Sequence, residues 1–279
     1  MASAASCPWR RARQPDAPDL RAYADRSNRF AFDLVADDYV RGRPDMPLEA
    51  VSAAAAAAGI PAGARVLEIG AGAGQLTRVL LAAGLDVCAL EPGPTLRALA
   101  AERAPGAELR GETFEELDTD ERFAAIFSAN AFHWIDPAVS YAKAASLLED
   151  RGALVLLWDT PFIREPELHR RVQREVMAPR GSTFPDSAEG IHAMLERDAA
   201  AGREELAASG LFADPWWEVV EQVLPYSAER YVSLLLSMSR IAAQPAAWRE
   251  DLAAALHEQL GEEPLTVSDL VYVVASRRR

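Results

Sequence analysis

The chain of 279 residues is poor in cysteine and histidine, carries no surplus of positive charge, and lacks a long apolar run. Its two cysteines, Cys7 and Cys88, lie one near the start and one inside a strand-like apolar stretch. They make an ill-matched disulfide pair, so a reduced, cytoplasmic protein is expected. No two of the four histidines, His133, His169, His192 and His257, stand at metal-ligand spacing, and no metal is expected. A net charge of −13 argues against a nucleic-acid backbone as the main partner, and the basic run Arg277 to Arg279 does not change that balance. No stretch is long and apolar enough to span a bilayer; the alanine run ahead of Ile60 is too short. The opening "MASAASCPWRRARQPDAPD" has arginines but no apolar segment behind them, unlike a secretory signal, and residues 1–18 read as a disordered leader.

With these classes set aside, half of the residues are hydrophobic and a quarter charged, enough for a sizeable core and a small-molecule partner. Residues 19–279 read as one α/β domain. Strand-like runs at 64–70, 85–91, 107–111, 124–130 and 152–158 alternate with helical patterns, which predicts a parallel sheet over about 46–158. Asp136 and Pro137 mark a helix start, and Gly152 is expected just past that helix's end. Strand patterns return at 216–224 and 265–276, leaving helical insertions at about 160–210 and 226–262 that read as a cap over a substrate pocket.

The chemistry concentrates in "RVLEIGAGAGQLTRVLLAAGLDVCALEP", residues 65–92. Glycines between a strand and a helix let a ligand approach the backbone. Gly70 and Gly72 fit the first two positions of a dinucleotide fingerprint, but Gln75 occupies the third glycine's place and Gly74 comes one residue early, so that reading fails on spacing. Glu91 ends the second strand, where a carboxylate can accept ribose hydroxyls.

The string "EIGAGAG" resembles motif I of the class I S-adenosylmethionine-dependent methyltransferases, and further segments resemble their type 11 group: "FDLVADDYVRGRPDMP" (32–47), "GETFEELD" (111–118), "FSANAFHWIDP" (127–137) and "LLEDRGALVLLWDTP" (147–161). The resemblance covers about three quarters of the chain. One departure is Phe123-Ala124, where the group commonly has Phe-Asp before its fourth strand. The resemblance implies a Rossmann-like, doubly wound sheet of seven strands, mostly parallel with an antiparallel last strand. It implies S-adenosylmethionine as cofactor, with S-adenosylhomocysteine as product. Glu68 would serve the charged end of the cofactor beside Gly70, Gly72 and Gly74, and Glu91 with Pro92 its ribose. Glu112, Thr113 and Phe114 would border the adenine, while Tyr39, Arg43 and Asn130 complete the site.

His133 follows the fourth strand, where open α/β sheets place their ligands, and is the candidate catalytic residue, as general base or as a group that positions the acceptor. Phe132, Trp134, Trp158 and Asp159 are candidates for the acceptor pocket, whereas Trp216 and Trp217 read as strand packing. The expected activity is methyl transfer to an oxygen, nitrogen or carbon atom, or a carboxylate, of a small molecule, by a monomer or homodimer. The alternatives are a non-methylating enzyme on the same scaffold, performing a cyclisation or rearrangement, and a regulatory binding protein.

Overall fold

The computed structural model describes residues 26–279, the side chains of residues 26–30 and 137 apart; the leader read at 1–18 lies outside the described residues. The five expected strands of the core are Arg65–Ile69 (β1), Asp86–Leu90 (β2), Glu108–Arg110 (β3), Phe123–Ala129 (β4) and Leu148–Ile163 (β5). Trp216–Tyr226 (β6) and Leu265–Arg277 (β7) complete one seven-stranded sheet in the order β3-β2-β1-β4-β5-β7-β6. β1 to β5 pair in parallel, and β7 runs antiparallel to both β5 and β6, as the family resemblance implies.

Alternation along the strands divides the core between the two faces of the sheet. Leu154 and Leu156 of β5 join Leu270, Tyr272 and Val274 of β7 on one face, beside Tyr141 of helix α5 (Pro137–Leu147) and Ile191 and Leu195 of helix α7 (Ala188–Ala208). Val155, Leu157, Val271 and Val273 point to the other face, packed by Ala50, Val51 and Ala54 of α2 (Leu48–Ala58) and by Val79 and Leu80 of α3 (Thr77–Ala82). A third cluster joins Ile163 and Val267 to Tyr231 and Leu235 of α8 (Ala228–Leu236) and to Leu252, Leu256 and Leu260 of α10 (Ala246–Leu260).

Two boundaries differ from the sequence reading. Helix α5 begins as expected, with the Asp136 side chain accepting from the Ala138 amide, but it ends at Leu147 and not at Gly152. Leu148 already pairs with Phe123, and Arg151 turns the chain in the left-handed region at φ +66°. The first helical insertion starts later than 160, because β5 continues to Ile163 along β7 and α6 (Pro166–Arg171) follows. That extension depends on a partner strand a hundred residues away, a pairing that a local pattern cannot show.

The short helix α1 (Ala36–Gly42), which carries Tyr39 and leads into Arg43, is held from outside the core. It lies so close to α8 that a Cβ on Gly42 would fall 2.2 Å from the Leu234 amide nitrogen. Tyr226 donates its hydroxyl hydrogen to the Gly42 carbonyl at 2.8 Å. Gly42→Ala is expected to lower stability by about 3 kcal/mol through overpacking, and Gly63→Ala, at φ +73° with open space around it, by only about 1 kcal/mol. Urea unfolding of the two variants gives the comparison; equal losses would mean that the α1–α8 contact can relax without cost.

Candidate functional site

The carboxyl ends of β1 and β4 lie side by side where the strand order reverses, the position at which open α/β sheets bind ligands. The loop after β1 makes room there with residues in the left-handed region, Gly70 at φ +74° and Gly72 at φ +58°. A Cβ on Gly70 would stand 2.4 Å from that of Ala131, and one on Gly72 would stand 2.8 Å from the Tyr39 hydroxyl, so neither position accepts a side chain. Gly74, at φ +88°, faces Ala100 of α4 (Pro94–Arg103) at 3.4 Å. It packs against that helix and does not line the cleft, unlike Gly70 and Gly72 of the expected cofactor set.

Glu91 binds the two loops together. One of its carboxylate oxygens accepts from the Gly72 amide and the other from the Gly93 amide, each at 2.8 Å, and the residue is only 7 % exposed. Burial pushes its carboxyl up to about 7 even though both amides favour the charge. Each oxygen keeps a further lone pair for a hydroxyl group. Behind Glu91, Arg97 donates to the Glu91 carbonyl at 2.8 Å. Asp33, from the short helical segment Arg26–Val35, caps α4 by accepting from the Thr95 and Leu96 amides, each at 2.9 Å.

The resulting cleft has a volume of about 890 Å³ including its mouth. Among the expected residues, Tyr39, Arg43, Gly70, Gly72, Glu91, Pro92, Glu112, Thr113, Phe114, Asn130 and Trp134 line it. Trp134 meets Phe32 edge-on at 6.0 Å between ring centres, and Phe32 meets Tyr39 in the same way at 5.9 Å. A smaller cavity of about 320 Å³ adjoins it and shares Tyr39, Arg43, Gly70 and Asn130; Glu68 and Asp159 line this second space. Asn130, at φ +51°, donates its amide to Asp159, and its side-chain carbonyl accepts from the Asp159 backbone amide at 3.3 Å.

Other expected residues lie elsewhere. Trp158 is one residue out of phase with Asp159 and therefore points to the opposite face of the sheet, where it packs on Tyr272 with ring centres 6.0 Å apart. Phe132 is buried in the core against Tyr141, at 5.2 Å. Neither of these two residues expected in the acceptor pocket lines the cleft. His133 does not line it either; its ring lies 5.0 Å from that of Trp134, which does. Among the described residues no group of histidine, cysteine or acidic side chains could hold a metal, and no helix is long and apolar enough to cross a membrane.

Sequence reasoning missed Asp33, which carries no signal because the helix it caps is sixty residues away, and Ser237 and Asp269. Arg43 donates to the Ser237 hydroxyl at 3.0 Å and stands 3.8 Å from Asp159. Asp269, fully buried, accepts from Gln222 at 2.8 Å, and burial together with the Asp159 charge pushes its carboxyl up to about 7.

The buried acids determine a pH dependence. Glu68, 1 % exposed, is pushed up to about 8 by burial, with the Glu91 charge adding to the effect. Protons held by Glu68, Glu91 and Asp269 in the folded state are released by the unfolded chain at lower pH. Stability of the ligand-free protein is therefore expected to fall as pH rises from about 5 to about 8. Glu68→Gln should flatten that decline in thermal melts; an unchanged slope would show Glu68 to be ionised already at the acid end.

Comparisons with known proteins match the segment that carries the glycine loop. Residues 67–156 match a family profile described as a methyltransferase domain. An uncharacterized methyltransferase of Mycobacterium tuberculosis is 36% identical over 137 residues, 48% of this chain and 54% of the relative. One from Geobacillus kaustophilus is 36% identical over 135 residues, 47% and 60% of the two chains. The chain thus spans about half the length of these curated relatives. A solved structure from Anaeromyxobacter dehalogenans, provisionally described as a type II methyltransferase, shares the fold with a TM-score of 0.60 at 19% identity, over 84% of this chain and 97% of that one. These matches liken the segment that carries the glycine loop and its buried acid to a methyltransferase domain.

Proposed function

We propose that the protein transfers a methyl group from S-adenosylmethionine to a small, neutral or cationic acceptor bound at the aromatic mouth of the cleft. The observation that carries this reading is the cleft itself: a glycine-cleared loop and a buried acid at the sheet's reversal point, opening onto the rings of Phe32, Tyr39 and Trp134. The cofactor, when bound, supplies an electrophilic methyl on a sulfonium, and its positive charge suits this lining. Asp33, Glu91, Glu112 and Glu115 line the cleft against the one guanidinium of Arg43, which already stands by Asp159. The same balance disfavours a polyanionic acceptor. Glu91 would hold the ribose through its remaining lone pairs, and Glu112, Thr113 and Phe114 would border the adenine.

Methyl transfer is an in-line displacement, so holding acceptor and methyl in line supplies much of the rate. The lining offers little for proton removal. Burial pushes the Tyr39 phenol up to about 12, so it remains protonated and is not available as a base near neutral pH. We assign His133 a positioning role, through its contact with Trp134, and assign no general base. An acceptor that loses its proton directly to solvent, or has none to lose, fits this arrangement.

Calorimetric titration with S-adenosylhomocysteine is expected to give micromolar-range binding that falls at least tenfold in Glu91→Ala, and a nicotinamide dinucleotide should not bind. No binding by folded protein would remove the basis for this reading. His133→Ala should keep cofactor affinity and lose about tenfold or less in turnover with a labelled methyl donor. A loss of a thousandfold or more, with a pH profile that loses its acidic limb, would instead make His133 the base.

A further inference from the structure

Of the 29 lysine and arginine residues, Lys143 is the only lysine. It stands on α5, partly buried, and does not line the cleft. Its Nζ donates to two backbone carbonyls of another segment, Glu115 at 2.9 Å and Leu117 at 2.6 Å, and lies over the Phe114 ring, 5.5 Å from its centre. The segment so held is a single turn, residues 113–117, after β3. At its start the Thr113 amide and hydroxyl donate to one Glu116 carboxylate oxygen, at 3.1 and 2.9 Å, and the hydroxyl accepts from the Glu116 amide at 3.3 Å. The backbone closes with the Glu116 and Leu117 amides donating to the Thr113 carbonyl, at 3.1 and 3.0 Å. At the other end the carbonyls meet the ammonium, the charge that the carbonyl end of a helical turn attracts. A lone turn is unstable by itself, and the strand ahead of it has only three residues, Glu108–Arg110. Yet Thr113, Phe114 and Glu115 line the cleft.

Resting on the cofactor reading of the cleft, we propose that Lys143 is a positioning residue that fixes the wall given to the adenine. It acts through the turn 113–117 and touches no ligand itself. Lysine suits this place: a compact ammonium with three donors addresses two carbonyls and a ring face at once, whereas the planar guanidinium fork matches a carboxylate. Phe114 and Leu117 share a core cluster with Tyr141 and Ala144 of α5, so the tie spans an interface that is already packed. It also reaches a second part of the lining, because Trp134 and Ile135 line the cleft and α5 follows them directly. Lys143 thereby joins the loop after β3 to the helix that continues the loop after β4. The loop after β2 has its own clasp in Arg97, which donates to the Glu91 and Pro92 carbonyls at 2.8 and 3.2 Å. Loss of Lys143 is therefore confined to the nucleobase side.

Lys143→Met keeps the apolar stem and removes the charge and its donors. Amide hydrogen exchange followed by NMR, with calorimetric titration of S-adenosylhomocysteine, gives the test. In the ligand-free variant the Glu116 and Leu117 amides should exchange about tenfold faster or more, while those of Gly72 and Gly93, held by Glu91, keep their parent rates. Affinity for S-adenosylhomocysteine should fall about fivefold or more, since the ligand then meets a formed wall in only a fraction of the molecules. Saturating the variant with S-adenosylhomocysteine should slow the Glu116 and Leu117 amides back toward their parent rates, a response that a tie serving stability alone would not give. Affinity within about twofold of the parent's, or faster exchange that spreads to Gly72 and Gly93, would overturn the role of Lys143 and leave the cleft's assignment standing. Failure of the parent protein to bind S-adenosylhomocysteine would overturn that assignment and this proposal with it.

Discussion

The site depends on one buried carboxylate. Glu91 joins the amide of Gly72, at the start of the first loop, to that of Gly93, at the start of the second. Without it the glycine loop would present amides to the cleft with nothing to fix their direction, and two buried N–H groups would lose their acceptor. The sterically cleared positions at Gly70 and Gly72 make sense only around this tie: they allow backbone to stand where side chains would block it, and Glu91 holds that backbone in place. The tie also sets the cleft's electrostatics, because an acid buried this deeply raises its own affinity for a proton and that of Glu68 beside it.

Much of this was legible in the chain. Alternating glycines beside Glu68 and an acid at the end of the second strand are local patterns with a local cause, and the structure brings both acids to adjoining cavities. Trp158 and Asp159 show where local reading stops: adjacent in sequence, they point to opposite faces of the sheet, and only the register of β5 on β7 tells which one reaches the cavity. Phe132, two residues from Trp134, is core for the same kind of reason, since the short turn Phe132–Trp134 sends one ring inward and leaves the other on the cleft wall. Asp33, Ser237 and Asp269 bond to partners 62, 194 and 47 residues away, and no spacing rule reaches that far.

The insertions after β5 have a structural task that their description as a cap does not convey. Helix α8 supports α1 from behind, Tyr226 on β6 bonds to its last carbonyl, and Ser237 just past α8 takes up Arg43. The wall of the cleft that bears Tyr39 therefore rests on later parts of the chain, α8 and the edge strand β6. The two adjoining cavities share this wall through Tyr39 and Arg43, so a change in the packing of α8 reaches both.

The Arg43–Ser237 contact spans 194 positions of sequence, which gives the cleft a place in time as well as in space. At roughly 5–20 residues per second of synthesis, the segment bearing Tyr39 waits on the order of ten seconds or more for its support to emerge. During that interval the parallel strands β1 to β4 can pair, while the wall made first has nothing to lean on. The part of the site nearest the beginning of the chain is consequently the last to be built, and a ribosome-bound intermediate would have the glycine loop without an enclosed cleft.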